Sequence, residues 1–67
     1  MNPVVELDIK RHEREAREFR QLRAELYVKL DQVKDQAEAD EIRDRIRKAN
    51  IGISFHEGKV NDLLTIA

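Results

Sequence analysis

His12 and His56 are the side chains of this chain best suited to chemistry near neutral pH, and Ser54 is its only serine. Imidazole titrates in the physiological range and is a common metal ligand, so a histidine pair can move a proton or hold a cation. The surrounding spacings are not specific to either task. "HERE" at 12–15 and "HE" at 56–57 are fragments of metal motifs, but neither gives the two histidines at i and i+4 of a zinc-protease helix, and no third ligand is apparent. The chain has no cysteine and no glycine-rich phosphate loop. Ser54 would have to draw on the same two histidines for a base, and a 67-residue helical chain offers no concave pocket to enclose such a site. A histidine on an apolar helix face usually sits at a core edge with one hydrogen bond made, and this is the expectation for both. No enzymatic activity, cofactor or metal is expected.

A nucleic-acid contact is the other chemistry the residue types allow. Arg11, Arg14, Arg17, Arg20 and Arg23 recur at every third position, and Arg43, Arg45, Arg47 and Lys48 form a second basic cluster. Steps of three advance about 300° round a helix, so the first row winds instead of forming one flat face. Glu13, Glu15 and Glu18 lie among those arginines. Acid-first pairs such as Glu13 with Arg17 and Glu25 with Lys29 predict a salt-laced solvent face, each pair adding about 0.2–0.5 kcal/mol. Residues 10–23 carry +3, residues 31–41 carry −4 and residues 43–48 carry +3, but 13 Lys and Arg against 14 Asp and Glu leave the chain at −1. Such a balance is not that of a general nucleic-acid coat. Binding of nucleic acid through Arg11, Arg14, Arg17, Arg20, Arg43, Arg45, Arg47 and Lys48 is therefore the second functional expectation, not the first.

The elements that must carry these residues are helical. Pro3 is the only proline and Gly52 and Gly58 the only glycines, in a chain dominated by strong helix formers. Asn2 is placed to cap a first helix with Pro3 at its first position, where a missing N–H costs nothing. From there Val5, Ile9, His12, Ala16, Phe19, Leu22 or Arg23, Leu26, Leu30 and Val33 keep steps of four and three. Ile42, Ile46, Ala49, Ile53, His56, Val60, Leu63 and Ala67 do the same. In one unbroken helix the second stripe would lie about 140° round from the first. The chain is therefore expected to turn near "DQAE" at 35–38, where Asp35 and Glu38 have capping-box spacing. The expected fold is all-α: an antiparallel hairpin with helices over about 3–34 and 37–66, the alternative being one long helix in a coiled coil. "NIGISFHEGK" at 50–59 is the weak stretch, where the second helix either continues or breaks near 50–54.

In that hairpin, residues whose numbers sum to about 72–76 should be opposite, which brings Phe19 to Phe55 and Arg23 near Ile51. Ile51, Phe55 and Ile66 fall at about 60–120° on the second helix, away from its stripe at about 180–300°. These three, with Arg23 inside the apolar sector of the first helix, are the expected partner or dimer interface. Arg23 is expected either to reach solvent at the edge or to pair with an acid of another chain.

Small chains without disulfides commonly gain stability by association. A homodimer, packed as a four-helix bundle, is therefore expected. The implied function is a non-enzymatic protein–protein interaction module: a small regulator, adaptor, inhibitor or assembly factor that binds itself and another protein. No membrane span or signal peptide is expected, and the cytoplasm is the default compartment. In size and helix number such a hairpin is similar to the small phosphatases of the sporulation pathway, but their Ser-Gln-Glu-Leu-Asp signature is absent and no family is assigned.

Overall fold

Helix α1 begins where the first residues dictate. The Asn2 side-chain oxygen accepts from the Val4 N–H at 2.8 Å and its carbonyl accepts from the Glu6 N–H at 3.0 Å, with Pro3 at the first helical position. The computed structural model describes residues 2–66, and it is built from two helices: α1, Pro3–Gln32, and α2, Gln36–Ile66. Ala67, the last position of the second apolar stripe, lies outside the described residues. The two helices pack along their length as an antiparallel hairpin measuring 50 × 14 × 11 Å. No helix among the described residues is long and apolar enough to cross a membrane.

The turn between the helices spans residues 33–35 and uses no glycine and no left-handed residue. Val33 leaves the helix in an extended conformation, its N–H donating to the Leu30 carbonyl at 3.4 Å. Its side chain and that of Leu30 pack against a cluster of Leu26, Ile42 and Ile46. Burial thus ends α1 where no backbone signal does. Asp35 stands at the head of α2, and its carbonyl accepts from the Ala39 N–H at 3.0 Å. The capping position is as the spacing predicts, although neither the Asp35 nor the Glu38 side chain makes a cap hydrogen bond among the described residues.

The two stripes meet as expected. Ile9, Ala16 and Leu26 of α1 and Ile42, Ile46, Ala49 and Ile53 of α2 are buried, and His12, Phe19, Leu30, His56, Val60 and Leu63 are half-buried along the stripes. The ambiguous position goes to Arg23, which is half-buried, while Leu22 is exposed. Helix α2 runs unbroken through residues 50–54, so the break considered there is absent.

The middle of the seam is thin, formed by Ala16, Ala49 and Gly52. At Gly52 a Cβ would lie 2.8 Å from the Phe19 ring. Phe19 therefore lies on Gly52, not on Phe55 as the expected register had it. A Cβ at Gly58 would meet nothing within 4 Å.

Candidate functional site: a histidine pair beside an exposed apolar flank

The space left by Gly52 lets the ring of Phe19 cross the seam and stack on His56, with centroids 5.8 Å apart and planes at 23°. His12 comes from α1 to meet the same ring, and its Nδ1 is 2.8 Å from the Nδ1 of His56. On the far side of His56, Nε2 is 2.9 Å from a carboxylate oxygen of Glu15. The two imidazoles share a hydrogen bond across the seam, one Nδ1 donating and the other accepting, and the Glu15 carboxylate lies close on the far side of His56.

The sequence places both histidines on facing stripes a turn or two apart, and the structure brings them into direct contact. Glu15 is the member that sequence reasoning misses. In the expected register it faces residues 57–61, and it is found beside residue 56, one position outside that range. The arrangement can hold the two helices in register. Among the described residues, no group of three or more His, Cys, Asp or Glu side chains is disposed to hold a metal ion.

Helix periodicity divides the remaining side chains between two flanks of the seam. On one flank the contacts are polar. The Arg20 guanidinium donates to Glu57 at 2.6 Å, and Arg23 donates to the Asn50 side-chain oxygen at 2.7 Å. Arg23 thus finds a neutral partner in its own chain, one residue from the predicted neighbour Ile51, at the solvent-exposed edge of the seam.

The other flank is apolar and open. Phe55 leans edge-on against His56, with centroids 5.0 Å apart, and lies 6.5 Å from His12. It is 53% exposed, and the Lys59 ammonium lies over its ring at 5.5 Å. Beside it on α1, Phe19 and Leu22 line a shallow recess rimmed by Glu15 and Glu18. Leu22 is 44% exposed, and Ile51 and Ile66 reach 63% and 74%. The surplus apolar face therefore includes Leu22, which the sequence offered only as an alternative core residue.

The basic residues singled out for nucleic acid are mostly occupied within the chain. Arg11 pairs with Asp8, Arg20 with Glu57, Arg43 with Asp40, Arg45 with Glu41, and Arg47 and Lys48 both with Asp44. Arg14 and Arg17 line a shallow groove with Leu7 and Lys10. The hydrogen bond from Lys48 holds the Asp44 carboxyl below the usual carboxylate value, opposed by desolvation and aided by the charges of Lys48 and Arg47. The expected pairs Glu13–Arg17 and Glu25–Lys29 are not formed, whereas Glu6–Lys10, Glu41–Arg45 and Asp44–Lys48 are. No family model, no curated protein and no solved structure matches the chain.

Proposed function

We propose that this chain is a non-enzymatic protein–protein interaction module that docks through the apolar flank bearing Phe55, in the manner of a small regulator, adaptor, inhibitor or assembly factor. The observation that carries this is the exposure of large apolar side chains in a molecule with a very small core. Among the described residues nine of them, including Leu22, Ile51, Phe55 and Ile66, are 44–74% exposed, while seven aliphatic residues are buried. Fully burying a side chain of this size contributes about 1.5–3 kcal/mol. Phe19, Leu22 and Phe55 cluster on one flank with Glu15, Glu18 and Lys59 about them, and exposed apolar groups bordered by charge are characteristic of an interaction surface. Six of the eight basic residues considered for nucleic acid already hold carboxylates, which also favours a protein partner.

Site-specific photo-crosslinking in the native cell tests this. A benzophenone side chain at position 55 should give discrete protein adducts, identified by mass spectrometry, that are missing when the same group is placed at Lys34 on the turn. Equal yields at both positions, or none at 55, would refute the proposal.

A further inference from the structure

Resting on that interaction reading, we infer that the occupant of the Phe55 flank is a second copy of this chain, docked about a two-fold axis parallel to the helices so that α2 of each copy lies over α1 of the other. Three observations converge on this.

The first is shape. A compact chain of 7.9 kDa exposes about 4,400 Å² and this one exposes 5165 Å². The excess, about 750 Å², is close to the ~800 Å² that each partner buries in a standard interface. The radius of gyration, 15.4 Å, likewise exceeds the ~11 Å of a compact chain of this length. Two such rods side by side make a four-helix bundle.

The second is charge. The flank is divided lengthwise. Its α1 side offers Phe19 and Leu22 rimmed by the carboxylates of Glu15 and Glu18, and its α2 side offers Phe55 with the Lys59 ammonium over the ring. One half is an apolar recess with an acidic rim, the other an aromatic knob carrying a cation. A two-fold axis across the helices would set α2 on α2 and α1 on α1, so that neither knob meets a recess. An axis along the helices sets each knob on a recess.

The third is height. An axis along the helices leaves every residue at its own level. Contacts across the seam put Phe19 level with Gly52 and Glu15 level with His56. Phe55 therefore stands between the levels of Glu15 and Phe19, which is the level of the recess. In an isologous pair the contact occurs twice: Phe55 of each copy enters the recess of the other, and Lys59 reaches its two carboxylates.

The test combines sedimentation equilibrium at micromolar concentration with a charge swap. A dimer is expected. Glu18→Lys and Lys59→Glu should each raise its dissociation constant about tenfold, and the double variant should restore it, because surface ion pairs contribute up to about 1 kcal/mol each and the contact is made twice. A folded monomer, or a double variant as weak as the worse single one, would overturn the inference. In an equimolar mixture of unlabelled and ¹⁵N-labelled protein, a benzophenone at position 55 should give mixed-isotope crosslinks to residues 15–22 of the other copy. Mixed crosslinks to α2 instead would overturn the orientation. A monomer whose position 55 still crosslinks to a different protein in the cell would refute the self-pairing and leave the interaction module standing.

Discussion

The Nδ1 atoms of His12 and His56 are 2.8 Å apart, so a hydrogen bond between two imidazoles ties α1 to α2. Removing one ring leaves the other without that partner. His12→Leu should therefore lower the urea midpoint by an amount equivalent to about 1 kcal/mol, whereas His12→Gln, whose amide can offer either a donor or an acceptor to His56, should keep most of the stability. A His12→Leu protein as stable as the wild type would count against the bond.

The two glycines should respond in opposite ways. At Gly58 an added methyl meets open space, so Gly58→Ala should stabilise the protein by about 0.5–1 kcal/mol through helix propensity alone. At Gly52 any Cβ strikes the Phe19 ring, and Gly52→Val should destabilise it by about 1–3 kcal/mol through overpacking. Thermal unfolding of the two variants side by side decides this, and a Gly52→Val protein as stable as wild type would mean that the ring is free to move away.

Asp44 reports on its two cationic neighbours. Its carboxyl lies below the ordinary aspartate value, chiefly through the hydrogen bond from Lys48. A carboxylate with a depressed folded value contributes stability that is complete above its unfolded value, about 4, and is lost progressively as pH falls below it through the folded one. In a carboxyl ¹³C titration, Lys48→Ala should move the Asp44 midpoint upward by more than Arg47→Ala does. Equal displacements would contradict the order of the two influences.

Removing the cap at the start of α1 should be measurable despite its exposure. Asn2→Ala deletes the side-chain oxygen that accepts from the Val4 N–H, at a cost of about 1 kcal/mol. Amide exchange should accelerate at Val4 and its neighbours first, before any effect reaches Leu26.

Most of the hairpin can be read from spacing, because both stripes keep four-three steps and the core formed where they meet. Asn2 and Pro3 signalled the first helix start without ambiguity. The turn was harder to place, since burial of Val33 ends α1 and no glycine or proline marks the point. The partner of Phe19 was misjudged for a packing reason: periodicity counts side chains on a face but does not register the absence of one, and the bare backbone of Gly52 takes the ring that Phe55 would otherwise meet. Glu15 is not distinguished in the sequence from the other acids of a charged run, and it comes beside His56 one position outside the expected pairing.

Because the helices are antiparallel and nearly equal in length, Asn2 and Ile66 emerge at the same pole of the rod while residues 33–35 occupy the other, and the longest dimension is 50 Å. A hairpin anchored by both ends at one pole is geometrically a bristle. Spliced into a surface loop of a carrier protein, it would project its turn far from the carrier and present the Phe55 flank midway along the shaft, clear of the graft on one side and of the tip on the other.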